Sequence, residues 1–163
     1  MPCPLCQSAD NLFLIATLAH THVVLGDNQG CPAWCVCVLR GHIEHMDELP
    51  FETQQAVFTE VALVARAIRG WTMQHAPECG LQPVNTSPRI NYECLGNQVA
   101  HIHWHVIPRH AGDPDPRNPV WGWSKDQLAG TLSPEQRHTV ADQLRTLLAR
   151  YADPCSPPSH SAN

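Results

Sequence analysis

The chain of 163 residues has no surplus of positive charge: 10 Lys and Arg stand against 15 Asp and Glu, a formal net charge of −5. A surface that grips a phosphate backbone needs clustered excess Lys and Arg, so nucleic acid is not an expected partner. Long apolar runs are missing as well. The longest lies around Leu12 to Leu18, far short of the about 20 residues that cross a bilayer, so no membrane partner is expected. The start, Met1-Pro2-Cys3, has no basic stretch leading into an apolar one and does not read as a secretory signal. A cytoplasmic location is the expectation, and in that setting the eight cysteines read as reduced thiols rather than a disulfide framework. No internal repeat is visible.

What is present suits one domain with a real core. Hydrophobic residues make up 43% of the chain, a normal globular share. Phe13 to Thr17, His20 to Leu25 and Trp34 to Leu39 read as short strands, with Gly26-Asp27-Asn28-Gln29-Gly30 as turn chemistry. Val57, Val61, Val64, Ala65 and Ile68 form an apolar stripe at helical spacing, with Pro50 placed for the first turn and Pro77 and Gly80 beyond the end. Residues 77–88 read as a loop. Arg89 to Leu95 and Ala100 to Ile107 read as strands, joined through Gly96-Asn97 as a hairpin. Residues 108–123 are Pro-rich and irregular, yet carry Trp121 and Trp123, which should pack. Ser133, Pro134 and Gln136 open a last helix with a capping box, and Val140, Leu144, Leu147, Leu148 and Tyr151 form its stripe. Strands, helix, strands, helix argue for an α+β domain: an antiparallel sheet of about five strands with one long and one C-terminal helix. Its core spans 1–111, residues 112–152 form an extension and helix packed on the same domain, and 153–163 read as a disordered tail.

The chemistry concentrates in His101-Ile102-His103-Trp104-His105. On a strand, alternate side chains share a face, so the three imidazoles would line one wall at roughly 7 Å intervals while Ile102, Trp104 and Val106 face the core. Such a wall suits metal binding through neutral imidazoles. It equally suits phosphoryl chemistry, one neutral His attacking phosphorus while a neighbour donates a hydrogen bond to the phosphate oxygens. An attacking imidazole needs its other nitrogen tied to an acceptor that fixes the tautomer. At the other end, Cys3-Pro4-Leu5-Cys6 has the spacing of a zinc half-site.

The run from His101 to Ile107 resembles the signature of the histidine triad (HIT) family, His-φ-His-φ-His-φ-φ with φ apolar, at all seven positions. Gly96-Asn97 upstream and Pro108-Arg109 downstream fit the family too, and the resemblance extends over roughly residues 3 to 110. It implies a HIT-like fold and a nucleotide hydrolase or nucleotidyl transferase, working through a covalent nucleotidyl-histidine intermediate at the α-phosphate. His103 would be the nucleophile, His105 would contact the phosphate, and His101 would orient its neighbours or bind metal. Asp27 stands where members present an acid to the ribose hydroxyls. Asn91 and Asn97 resemble positions that bind phosphate oxygens. Gln98 replaces the Ser or Thr that in many members helps protonate the leaving group. An amide donates a hydrogen bond but is a poor proton donor, so the leaving group is open. Substrates would be of the class of dinucleoside polyphosphates, nucleoside phosphoramidates or aminoacyl-nucleotides, and a homodimer is implied.

Zinc-containing members resemble this layout in using two Cys, an upstream His and the first triad His, which implies a set of Cys3, Cys6, His42 and His101, with His45 as the alternative to His42. Four ligands close a structural site and leave no metal required for catalysis. Cys35 and Cys37 share a strand face and read as small core residues. Two rival readings stay open: a metal-binding protein without turnover, and a nucleotide-binding protein of this fold with little activity.

Overall fold

The computed structural model describes residues 3–75 and 87–152. The expected loop over 77–88, all but its last two residues, and the expected tail over 153–163 lie outside these.

Five strands form one sheet: β1 Leu14–Thr17, β2 Thr21–Leu25, β3 Cys35–Leu39, β4 Arg89–Glu93 and β5 His103–Arg109. Their order is β1-β2-β3-β5-β4, and every neighbouring pair is antiparallel. The α+β architecture follows as expected. Because directly opposed residues point to the same face, the register sorts the side chains into two sets. Val23, Leu25, Cys35, Cys37 and Val106 face the helices and are buried. Leu14, Val24, Val36, His105 and Glu93 form one cross-strand row on the opposite face, and Val38 lies opposite His103 beside it.

The helix face is covered by α1 (Phe51–Gln74) and by α3 (Pro134–Ala152). The stripe Val57, Val61, Val64, Ala65 and Ile68 is buried as its spacing requires, and so are Val140, Leu144, Leu147 and Leu148. Each of the Val, Ile and Leu side chains among these contributes about 1.5–3 kcal/mol by leaving water. The two helices touch closely: Trp71 Nε1 donates to Gln143 Oε1 at 2.8 Å. Pro50 stands one residue before the first turn of α1, as its N-cap. The expected capping box on α3 is formed, with Gln136 N–H donating to Ser133 Oγ at 3.2 Å and Ser133 N–H to Gln136 Oε1 at 2.8 Å. Cys35 and Cys37 sit in this core, and burial pushes both thiols well above their ordinary pKa.

Three local expectations change. The segment between β4 and β5 is not a tight hairpin: the ladder breaks off at Glu93 and resumes at His103, so Gly96-Asn97 belongs to a nine-residue excursion. The strand expected from Ala100 starts instead at His103, because Ile102 N–H is drawn to the Ile43 carbonyl at 2.9 Å, off the β4 side of the ladder. The stretch beyond Pro108 is not wholly irregular. A turn of 3-10 helix covers Val120–Gly122, and a short helix α2 spans Lys125–Ala129. Ser124 and Gln127 close a capping box on α2, the same signature that marks α3.

This extension is pinned at both ends. Arg109, buried, donates to Asp113 Oδ2 at 2.7 Å, to the Asp115 carbonyl at 2.8 Å and to the Asn118 carbonyl at 3.1 Å, and its guanidinium lies 5.3 Å from the Trp123 ring. At the far end Gly30 N–H donates to the Leu128 carbonyl at 2.7 Å and Gln29 N–H to the Ala129 carbonyl at 3.2 Å. A Cβ on Gly30 would stand 1.9 Å from the Gln127 carbonyl oxygen. No helix among the described residues is long and apolar enough to cross a membrane.

Gly30→Ala should therefore lower the unfolding free energy by about 1–3 kcal/mol, the usual scale for forced overpacking. Gly112→Ala, where a Cβ meets nothing within 4 Å, should stay within about 0.5 kcal/mol of the parent. Urea unfolding of the two variants compares them directly. Equal midpoints would show that α2 is not seated on the Gly30 backbone.

Candidate active site on the open face of the sheet

The face away from the helices holds a cavity of about 790 Å³. Val24 and Val36 form its apolar floor, and Leu5 packs on that floor from the N-terminal 3-10 helix Pro4–Asp10. His103 and His105 stand on the neighbouring strand, and Asp27, Asn97, Gln98, Trp34 and Trp121 complete the walls.

The three imidazoles do not form one wall. His103 and His105 line the cavity, rings 5.1 Å apart. His101 precedes the strand and is buried outside the cavity, its ring 5.0 Å from that of His42. The reason is the late start of β5: with Ile102 drawn to Ile43, the backbone turns the His101 ring toward the N-terminal segment. The link to the triad survives through the main chain. His103 Nδ1–H donates to the His101 carbonyl at 2.7 Å. A carbonyl can only accept, so the neutral ring carries its proton on Nδ1 and leaves the Nε2 lone pair free. His105 has the opposite tautomer. Trp34 Nε1–H donates to His105 Nδ1 at 3.2 Å, so the neutral ring keeps its proton on Nε2. Burial, with the neighbouring His103 second, holds His105 down to about 4. One imidazole thus offers a lone pair and the next a proton donor, side by side.

Of the other candidates, Asp27, Asn97 and Gln98 line the cavity. Asp27 is fully open to solvent, with Arg137 Nη2 3.9 Å from its Oδ1. Asn91 is not brought to the cavity: its amide donates to Glu93 Oε1 at 3.2 Å instead. Glu93 also accepts from Trp121 Nε1–H, and the Trp121 ring stands 5.1 Å from His105 and 5.5 Å from Trp34. Trp34, Trp121 and Glu93 were not singled out as site residues. The Trp pair Trp121 and Trp123 was the available signal, but not its direction. Nor did sequence reasoning find Gln29, buried in the loop before β3, which donates to the Gly26 and Trp34 carbonyls at 2.8 and 3.0 Å and accepts from Ala33 N–H at 3.0 Å. This cross-brace holds the loop that presents Asp27 and Trp34, including Ala33 at φ 70°.

Cys3, Cys6, His42 and His101 come together: one ligand atom from each falls within 4.8 Å of all the others. Sγ to Nδ1 separations are 3.3 Å for Cys3 and His101, 3.4 Å for Cys6 and His42, and 3.7 Å for Cys6 and His101. Bond lengths of about 2.3 Å to sulfur and 2.0–2.1 Å to nitrogen around a tetrahedral centre place such atoms about 3.5 Å apart. His101 Nε2–H donates to the Leu39 carbonyl at 2.7 Å, which leaves the Nδ1 lone pair directed at the sulfurs, as an oriented metal ligand requires. The donor set fits zinc. His45 is not among the four.

Acid should destabilise the fold through His105. Its folded pKa lies below the ordinary 6.5, so the unfolded chain takes up a proton first. The stability it contributes is present above pH 6.5 and declines as pH falls from there toward 4. His22 and His110 are lowered too, chiefly by burial, and act in the same direction. Urea midpoints measured from pH 7 to 4.5 should fall, and fall less steeply in His105→Gln. Parallel slopes in the two proteins would exclude His105 as a source of the acid sensitivity.

Residues 11–112, more than half of the chain, match the HIT domain. Protein hit of Bacillus subtilis (strain 168) is 28% identical over 130 residues, which are 80% of this chain and 81% of that protein. A histidine triad protein from Sinorhizobium meliloti 1021 is 29% identical with a TM-score of 0.64, covering 82% of this chain and 87% of that one. A zinc-bound histidine triad family protein from Mycobacterium smegmatis shares the fold, with a TM-score of 0.60 at 23% identity over 93% of this chain and 96% of its own. The chain belongs to the HIT family.

Proposed function

We propose that the protein is a nucleotidyl hydrolase or transferase that works through a nucleotide covalently held on His103. The observation that carries this reading is the pair of opposite tautomers, Nε2 unprotonated on His103 and Nε2–H on His105, facing one cavity. HIT family proteins generally bind nucleotides and act as hydrolases or transferases, which is the same chemistry. In the reading, His103 Nε2 attacks the α-phosphorus; the N–P bond forms as the bond from phosphorus to the leaving group breaks. The imidazolium that results keeps its Nδ1–H on the His101 carbonyl. His105 Nε2–H donates to a phosphate oxygen as charge builds there. Asp27 accepts from the ribose hydroxyls, being the acceptor-only group on the cavity rim. Asn97 and Gln98 contact the phosphate and leaving-group side. Gln98 supplies a hydrogen bond and no proton, so a leaving group that departs as a stable anion, as in a dinucleoside polyphosphate, suits this site better than an amine.

Cys3, Cys6, His42 and His101 would hold one zinc ion, and four protein ligands make its contribution a structural cross-link rather than Lewis-acid chemistry. The zinc-bound relative of the same fold supports this assignment. A homodimer is part of the reading, through the open edge of β4, its half-exposed Tyr92, and the half-exposed Phe58 of α1, whose ring stands 5.0 Å from that of Trp104 on β5.

His103→Ala should reduce nucleotidyl turnover by several orders of magnitude without unfolding the protein, since a covalent nucleophile is lost. With an α-labelled substrate and a quench in base, wild type should carry label on the peptide holding His103, and acid should release it. Retention of more than about a tenth of wild-type turnover, a deficit under roughly 1.4 kcal/mol, would remove His103 from the role of nucleophile.

Elemental analysis of protein purified without chelator should find about one zinc per chain, and well below that in Cys6→Ala. Zinc-free protein that is folded and fully active would refute the zinc site.

A further inference from the structure

The N-terminal segment touches both candidate sites. Cys3 and Cys6 flank Pro4 and Leu5, and Pro4, Leu5, Gln7 and Ser8 line the same cavity as His103 and Asp27. Leu5 and Leu14 both pack on the cluster of Val24, Val36 and Val38. These residues belong to the apolar half of the open face, across β1, β2 and β3, while the imidazoles occupy β5. A nucleotide whose phosphate lies at His103 and whose ribose reaches Asp27 places its planar base on this apolar half, alongside Leu5.

The segment has few other ties. Within it, Ser8 Oγ–H donates to the Leu5 carbonyl at 2.7 Å and Cys6 N–H to the Cys3 carbonyl at 3.2 Å. Every side-chain hydrogen bond from residues 3–10 to the rest of the described chain runs from Cys3 or Cys6 to His42 or His101. Residues 3–10 pair with no strand. Beside the apolar contact of Leu5, the buried Ser8, the packing of the 3-10 helix on β1 and β2 and the continuation of the chain at Asn11, the Cys and His cluster is the polar tie that holds this wall in place.

We propose that residues 3–10 couple metal to nucleotide: metal bound by Cys3, Cys6, His42 and His101 seats Leu5 as the base-side wall, so metal loading sets nucleoside affinity. The inference rests on the nucleotide-binding reading above. Two sites that share one segment are linked reciprocally: the factor by which metal tightens nucleoside binding equals the factor by which nucleoside tightens metal binding.

The test uses the full chain, zinc-loaded and chelator-stripped, with circular dichroism to establish that the stripped form is folded. Adenosine, guanosine and their 5′-monophosphates are titrated calorimetrically into both forms. Stripping should weaken the nucleoside and its monophosphate by the same factor, within the roughly 5- to 150-fold range of ordinary site coupling. Saturating nucleoside should raise zinc affinity by that factor. Leu5→Ser should weaken nucleoside binding while retaining one zinc per chain, and this variant decides the matter if the stripped form is unfolded. Nucleoside binding equal within twofold in folded loaded and stripped protein overturns the inference. So does an effect confined to the monophosphates, which would act through His101 and His103 instead, and so does unchanged binding in Leu5→Ser. A chain that takes up no zinc overturns it as well. Loaded protein that binds none of the four ligands refutes the nucleotide reading itself, a result distinct from equal binding in both forms.

Discussion

The 2.7 Å hydrogen bond from His103 Nδ1–H to the His101 carbonyl is the contact on which the site depends. It decides which nitrogen of His103 keeps a lone pair, and it does so with a main-chain group that cannot reverse its role. That carbonyl is positioned because His101 is held on three sides. Its ring donates to Leu39, its Nδ1 meets the sulfurs of Cys3 and Cys6, and the following Ile102 is bonded through both N–H and C=O, to Ile43 and Leu39. The residue that is outside the cavity therefore governs the one inside it.

A sheet covered by helices on one face and open on the other makes room for this arrangement. The helix face consumes the large apolar side chains and supplies rigidity. The open face is left with short valines on β2 and β3 and imidazoles on β5, so a single flat surface runs from apolar to hydrogen-bonding within the width of three strands, about 10 Å. A nucleotide has the same polarity along its length, apolar base at one end and phosphate at the other. The tautomers of the two cavity imidazoles are then set from different directions, His103 from the start of its own strand and His105 from the Trp34 indole of the adjoining loop.

That loop and the C-terminal extension hold one another. Gln29 cross-braces residues 26–34 from within, and α2 seats on the Gln29 and Gly30 backbone from outside. Arg137 on α3 adds a 2.8 Å bond to the Gly26 carbonyl beside Asp27. The extension also carries Trp121 to the cavity, where Glu93 receives its indole N–H and fixes the ring beside His105. Asn91 donates to the same carboxylate from its own strand.

Much of this was legible in the chain alone, because it depends on local periodicity. The stripes of α1 and α3, the capping box at Ser133, the three short N-terminal strands and the spacing of His103 and His105 all follow from repeats of 3.6 and 2.0 residues. The triad signature and the Cys pair carried the family and the four residues that cluster, Cys3, Cys6, His42 and His101. What local pattern could not carry was anything set by partners distant in sequence. His101 leaves the triad wall because Ile43 captures Ile102, some sixty residues away. His105 owes its tautomer to Trp34 across a separation of 71 positions. Trp121 stands at the cavity against Trp34 and His105, with its N–H accepted by Glu93 on an edge strand. The alternation of a strand states which side chains share a face; where the ladder starts, and which donor meets which nitrogen, depends on hydrogen bonds that exist only once the chain has closed.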